Sequence, residues 1–255
     1  GDDVILSWIK GIGKDKGGYQ LINNKKEKIN FGPISTFSSH IITTENRVFR
    51  KPKKMSLIEA SFYGCAVQTG TGIVLNQMKK LKKNSQVCLI GIGGIGMATL
   101  LALKKKNCKI SIIEKNKSRI ESIKRIKLTI LSEKNRFKEL MGSFDYCIDT
   151  SGSTKMIELG LDLIKNHGTL IFASHPPYNS KIKIDPHDLI KGKKIFGSWG
   201  GSCKPDKDIT KIFNYFNKKN LYSANIKFKI YSINNIYKAI NDMIIGKVQR
   251  SVLKF

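Results

Sequence analysis

At 255 residues the chain has room for one large domain or two smaller ones, each with its own core. The net charge is +27, from 46 Lys and Arg against 19 Asp and Glu, and no apolar run approaches membrane-spanning length. Five cysteines, odd in number and without paired spacing, argue against a disulfide framework and against a Cys-x-x-Cys zinc clip. The expectation is a soluble, cytoplasmic protein with no membrane contact. The lysines are spread over loops and helix ends (Lys25-Lys26, Lys79-Lys80, Lys104-Lys105-Lys106, Lys193-Lys194, Lys218-Lys219) and mark no single face. They read as solvated charge, without a specific nucleic-acid partner.

In chain order, Val4–Ile9 reads as a strand that starts abruptly at Gly1, as if in mid-domain. Residues 11–33, rich in Gly, Lys and Asn, read as a loop. Ser35–Ile42 and Arg47–Phe49 read as short strands closed by Lys51-Pro52. Ser56-Leu-Ile-Glu59 is a capping-box pattern, so a helix is expected from Leu57, interrupted at Gly64-Cys65. Thr69-Gly-Thr-Gly72 then leads into a further helical stretch through Leu75 and Met78.

The next segment, Gln86–Leu100, carries the most chemistry. A short apolar run breaks into Gly91, Gly93 and Gly96, and an amphipathic helix pattern follows at once. In such a strand–turn–helix, Gly91 permits the tight turn, Gly93 lets backbone approach a pyrophosphate, and Gly96 allows helix and strand to pack closely. The anion then sits on N–H groups at the positive end of the helix. A second apolar strand, Lys109–Ile113, ends in Glu114, 18 residues beyond Gly96. That is the place for a carboxylate accepting from ribose hydroxyls. Glu114 favours NAD, since a carboxylate repels a 2′-phosphate; Lys115, Lys117 and Arg119 are cations that could receive that phosphate in NADP.

Strands and helices alternate beyond this point. A helix is expected near 117–126, a strand at Phe144–Asp149, a helix with Met156, Ile157, Leu161 and Ile164 on one face, and strands at Gly168–Ala173 and Lys194–Gly197. This alternation predicts an α/β fold with a doubly wound parallel sheet. Two amphipathic helices follow, one marked by Ile209, Ile212, Phe213 and Phe216. The other carries Ile236, Tyr237, Ile240, Met243 and Ile244, with Ser232 as cap and Gly246 as stop; both stripes read as core-facing.

Several segments occur together in a fixed order: Ile34-Ser-Thr-Phe37, Gly64-Cys65-Ala-Val-Gln-Thr69-Gly70, the Gly91–Gly96 turn, Gly197-Ser-Trp-Gly-Gly-Ser202 and Gly246–Phe255. In these the chain resembles the zinc-type medium-chain dehydrogenases, the alcohol dehydrogenase family. The resemblance implies a partial GroES-like, β-rich catalytic domain at 1–66, an NAD-binding Rossmann domain at 67–199, and a segment at 200–255 returning to the catalytic domain. It implies Cys65 as a catalytic zinc ligand and Thr69 as a catalytic residue beside the nicotinamide. Backbone of Gly94 and Ile95 would hold the pyrophosphate, Glu114 and Arg119 the adenosine ribose, and Arg250 the phosphates. Backbone around Ala173–His175 and Ser198–Trp199 would hold the carboxamide. The implied chemistry is hydride transfer between NAD and an alcohol or carbonyl compound, with zinc as Lewis acid on the substrate oxygen, in a homo-oligomer. The alternatives are a zinc-independent quinone or enoyl reductase of the same superfamily and a basic nucleic-acid-binding protein.

Two departures accompany this resemblance. The family's remaining zinc ligands fall upstream of Gly1, and a single Cys cannot hold zinc. Residues 10–30, where the family's four-cysteine lobe would fall, contain no cysteine. An incomplete active site is therefore expected.

Overall fold

A computed structural model describes residues 1–15, 21–29, 34–123, 129–131 and 134–255. The chain forms two compact units, Gly1–Gln68 with Cys203–Phe255, and Thr69–Ser202.

The first unit opens with strands β1 (Val4–Leu6), β2 (Leu21–Ile22), β3 (Lys28–Ile29) and β4 (Val48–Arg50). β1 pairs antiparallel with β4 and β2 with β3, so a small hairpin stands where a plain loop was expected. Part of that expected loop, 16–20 and 30–33, lies outside the described residues. The strand expected at Ser35–Ile42 is not formed. Ser38 Oγ instead donates to the His40 carbonyl at 2.9 Å, a local bond that competes with a ladder, and Phe37 and Ile42 stay exposed.

Helix α1 spans Leu57–Phe62, and Ser56 Oγ accepts from the Glu59 N–H at 3.1 Å as the capping pattern predicts. The reciprocal half of the box is not made. Asn220 Oδ1 takes the Ser56 N–H, while the buried Glu59 carboxylate accepts from the Tyr222 and Ser223 N–H groups at 3.1 and 2.8 Å. Burial pushes the Glu59 pKa above the usual carboxylate value, against the pull of those bonds. Gly64-Cys65 does not interrupt the helical path. A π-helical stretch (Tyr63–Val67) leads into α2 (Gln68–Gly72) and a second π-helical stretch (Ile73–Gln77). Gly64 serves close approach instead, since a Cβ there would collide with the Leu6 carbonyl oxygen.

The second unit is built on a six-stranded sheet of β5 (Gln86–Ile90), β6 (Lys109–Ile113), β7 (Thr129–Leu131), β8 (Phe144–Asp149), β9 (Ile164–Phe172) and β10 (Lys194–Gly197). Every neighbouring pair is parallel, and the spatial order is β10-β9-β8-β5-β6-β7. Such strands are buried on both faces and read as continuous apolar runs, as Val87–Ile90 and Cys147–Ile148 do. Between them lie α3 (Gly94–Lys104), α4 (Lys117–Ile123), α5 (Lys134–Glu139), α6 (Thr154–Leu163) and α7 (Pro186–Ile190). The last residues of the helix expected near 117–126 lie outside the described residues. The core runs through Ile90, Cys147, Ile157, Leu161 and Leu170.

The chain returns to the first unit with α8 (Pro205–Tyr215), α9 (Leu221–Asn225), β11 (Phe228–Ser232), α10 (Ile236–Ile244) and β12 (Arg250–Lys254). α8 buries Ile209, Ile212 and Phe213 as its spacing predicts. α10 does not follow its stripe. Ala239 and Asp242 are its buried residues, whereas Tyr237 and Ile244 are 85% and 77% exposed. The helix packs on the two-stranded parallel pair β11–β12, too narrow to cover a full apolar stripe. Ser232 precedes a short 3-10 turn and makes no side-chain cap; Asn235 stands before α10, and Gly246, at φ +73°, follows its end.

Candidate dinucleotide site

The sheet order reverses between β5 and β8, where the crossovers leaving the two strands go to opposite sides. In open parallel sheets, ligands bind in the crevice at the carboxyl ends of the strands at such a point. The glycine turn lies there. Gly91 follows β5 with φ +83°, which only glycine adopts without strain. Its N–H donates to the Ile113 carbonyl at 2.8 Å, and its carbonyl accepts from Thr150 Oγ1 at 2.8 Å. Gly96, in the first turn of α3, lies against that same carbonyl, where a Cβ would collide with it.

Gly93 is different. A Cβ built on it meets only one atom within 4 Å, Arg119 Nη1 at 3.9 Å, so open space stands above the turn. Gly93 also occupies the N-cap of α3 and offers no side chain to cap it. First-turn N–H groups have no intrahelical partner and carry the positive end of the helix dipole. The turn around Gly93, Gly94 and Ile95 thus has the shape and polarity that a pyrophosphate needs.

Glu114 sits at the carboxyl end of β6 with its side chain 4% exposed. Oε2 accepts from the Ile92 N–H and Oε1 from the Asn116 N–H, both at 2.9 Å. One carboxylate therefore braces the glycine turn, and each oxygen keeps a second lone pair for a further donor. Arg119 Nη1 stands 3.6 Å from Glu114 Oε2, and the Arg119 N–H is held by Asn116 Oδ1 at 3.0 Å.

Thr69 and Gly70 meet this cluster from α2. Thr99 Oγ1 donates to the Gly70 carbonyl at 3.2 Å, and a Cβ on Gly70 would collide with the Ile95 carbonyl oxygen. The Thr69 hydroxyl is buried and has no hydrogen-bond partner among the described residues. The backbone expected near a carboxamide is tied to strand ends: the Ala173 N–H donates to the Asp149 carbonyl at 2.9 Å, and the Ser198 N–H to the Phe172 carbonyl at 2.7 Å. The His175 and Trp199 rings meet edge-on at 6.0 Å.

Sequence reasoning missed the polar cluster at the carboxyl ends of β8 and β9, made of Asp149, Thr150, Ser151 and Ser174. Asp149 is fully buried and accepts from Ser151 Oγ at 2.6 Å and Ser174 Oγ at 2.8 Å. Burial raises its pKa, and these hydroxyls oppose the rise. The signal available was a run ending in Asp-Thr-Ser-Gly at residues 149–152, polar groups directly after an apolar strand.

Cys65 and Arg250 come together in the first unit. Both line a cavity of about 630 Å³ with Phe37, Leu57, Phe62 and Leu253. Desolvation of the thiolate pushes the Cys65 thiol pKa up although the residue keeps some exposure, and the Arg250 guanidinium pulls against that rise. Arg250 also hydrogen-bonds the Tyr222 hydroxyl, whose pKa burial pushes up to about 12. Among the described residues no three His, Cys, Asp or Glu side chains converge on a point where a metal could sit. Zinc, which needs at least three protein ligands, does not fit the residues present, and Cys65 stands as one donor without the rest of a set.

A family profile described as zinc-binding dehydrogenase matches residues 94–217. An alcohol dehydrogenase class-3 of Caenorhabditis elegans is 27% identical over 258 residues, 94% of this chain and 66% of the relative. Another, from Cereibacter sphaeroides, is 25% identical over 87% of this chain and 63% of its own length. Over these stretches the chain is similar to the zinc-type medium-chain dehydrogenases. It spans somewhat less than two thirds of the length of these curated relatives. In fold, the chain is similar to the benzyl alcohol dehydrogenase from Acinetobacter calcoaceticus, with a TM-score of 0.81 and 22% identity; the match covers 100% of this chain and 78% of that one.

Proposed function

We propose that the glycine turn binds NAD and that the whole protein transfers hydride between NAD and an alcohol or polyol. The observation that carries this reading is the coincidence, at the strand-order reversal, of an open turn at Gly93 with a buried carboxylate at Glu114. NAD supplies the hydride acceptor when bound. The chain's own residues bind and orient it. Gly91 and Gly96 hold turn and helix close enough for the Gly93–Ile95 backbone to face the pyrophosphate, and Glu114 accepts from the ribose hydroxyls. Arg119 stands beside Glu114 and adds positive charge next to the turn. The Thr69 hydroxyl, buried without a partner, is a donor waiting at the nicotinamide side.

Residues 1–66 and 200–255 act as the catalytic part in this reading and 67–199 as the coenzyme part. Cys65 and its apolar cavity belong to the substrate side, and homo-oligomeric assembly in the cytoplasm completes the proposal. The described residues form no site for zinc, and Cys65 supplies a single donor.

The test is reduction of NAD by a panel of primary alcohols, secondary alcohols and polyols, followed by nicotinamide absorbance. In the whole protein, turnover with at least one alcohol and preference for NAD over NADP are expected, whereas residues 1–255 by themselves should bind NAD and turn over weakly or not at all. Tight NAD binding by the whole protein without reduction by any alcohol would remove the substrate assignment, and failure to bind NAD would remove the whole reading.

A further inference from the structure

Basic residues that look scattered along the chain converge at one place in the fold. At the amino ends of β8, β9 and β10, the end of the sheet opposite the glycine turn, the second unit holds a cavity of about 700 Å³. Lys80, Lys82 and Lys83 line it from the segment entering β5, Lys165 and His167 from the start of β9, and Lys194 from the first residue of β10. Asp145 is the acid in this lining, and both its oxygens are committed, one to the Gln86 N–H at 2.7 Å and one to Lys165 Nζ at 3.0 Å. Five lysines against one aspartate leave an excess of four positive charges, counting His167 as neutral. Among the described residues, Lys80, Lys82, Lys83 and Lys194 make no ion pair.

Like charges gathered round a concavity repel one another, though Lys80, Lys82, Lys83 and Lys194 are solvent-exposed and water screens part of that repulsion. An anion removes that cost. Lysine ammonium groups bind phosphate oxygens as mobile point charges, each with three donors. The volume falls within the roughly 300–1,000 Å³ of ordinary small-ligand pockets. Asn84, Ser85 and Thr169 add polar groups to the wall, and none of these residues takes part in the cofactor crevice.

We propose that this cavity is a second ligand site, for a small anion carrying contiguous phosphates, and that it is independent of the dinucleotide site. Its charge excess matches a triphosphate chain better than a single phosphate.

The experiment is calorimetric titration of the full chain with tripolyphosphate, ATP, AMP and inorganic phosphate, with and without saturating NAD. One saturable tripolyphosphate site per chain is expected, unchanged by NAD and weakened about tenfold or more in Lys82→Gln/Lys194→Gln. The pair Lys53→Gln/Lys54→Gln in the first unit, outside the cavity lining, removes the same charge and leaves binding intact. ATP binding like tripolyphosphate assigns recognition to the phosphate chain, and tighter ATP binding adds a contact to the nucleoside; both support the site. With NAD saturating the dinucleotide site, AMP or inorganic phosphate binding as tightly as tripolyphosphate overturns the contiguous-phosphate assignment. Equal weakening in both double variants overturns it in favour of diffuse attraction by a basic chain. Competition by NAD overturns the independence of the site. A duplex oligonucleotide that outbinds tripolyphosphate, with the same dependence on Lys82 and Lys194, overturns the small-ligand reading in favour of a nucleic-acid face.

Discussion

Replacing Gly93 by Ala separates ligand approach from folding. The new methyl meets no protein atom closer than 3.9 Å, and the φ of −68° is one that any residue adopts. Stability should therefore not change. The space the methyl enters is where the pyrophosphate would lie against the first-turn amides. Hydrogen bonds to a charged group contribute about 1.5–3 kcal/mol each. At about 1.4 kcal/mol per tenfold, losing one such bond weakens NAD roughly 10- to 100-fold. Gly96→Ala is the counterpart. Its methyl collides with the rigid Gly91 carbonyl, so overpacking of about 1–3 kcal/mol should lower the melting temperature by a few degrees. Calorimetric NAD titration and thermal denaturation of both variants read the two effects separately. Gly93→Ala binding NAD within about twofold of the parent, at unchanged Tm, would refute the placement of the pyrophosphate over this turn.

Three further outcomes follow from the same geometry. Glu114→Gln removes the charge that repels a 2′-phosphate while keeping one acceptor oxygen, so the NADP-to-NAD affinity ratio should rise about tenfold in paired titrations. Asp149→Ala removes the acceptor of the Ser151 and Ser174 hydroxyls, which are exposed and half-buried; at about 0.5–1.5 kcal/mol net per hydrogen bond, denaturant unfolding should show a modest loss of stability. Glu59 has its folded-state pKa raised by burial, so its contribution to stability is fully present below its unfolded value and is lost as pH rises through the folded one. Thermal denaturation across acid to neutral pH should show the parent losing ground to Glu59→Gln as pH rises; a difference independent of pH would contradict the shift.

The glycine turn, its strand and Glu114 were legible because the signal is local: a run of apolar residues and three glycines within one crossover; the amphipathic stripe expected behind them is not there, since α3 is buried continuously from Gly96 to Leu103. α8 was legible for the same reason, since Ile209, Ile212 and Phe213 repeat at helical spacing and are buried. Features set by distant partners were not. The Asp149–Ser174 contact joins the ends of two strands 25 residues apart, and Glu59 caps a helix 163 residues away. β11 and β12 pair in parallel across an intervening helix, and nothing in either short run announces the other. α10 shows the opposite error. Its spacing gives an amphipathic helix correctly, yet spacing cannot say how much surface lies beneath the stripe, and Tyr237 and Ile244 remain exposed. Gly64 was read as a break when its role is the close approach of the Leu6 carbonyl, a contact across 58 residues of sequence. The lysines of the basic cavity belong to three segments that only the parallel sheet brings side by side.

Amide hydrogen exchange of the full chain, with and without saturating NAD, tests the central claim most directly. Protection on adding NAD should concentrate at residues 91–96 and at 114–119, with the amino ends of β8–β10 unchanged. Saturating NAD that leaves 91–96 exchanging at its original rate, or that protects another part of the chain instead, would contradict the account.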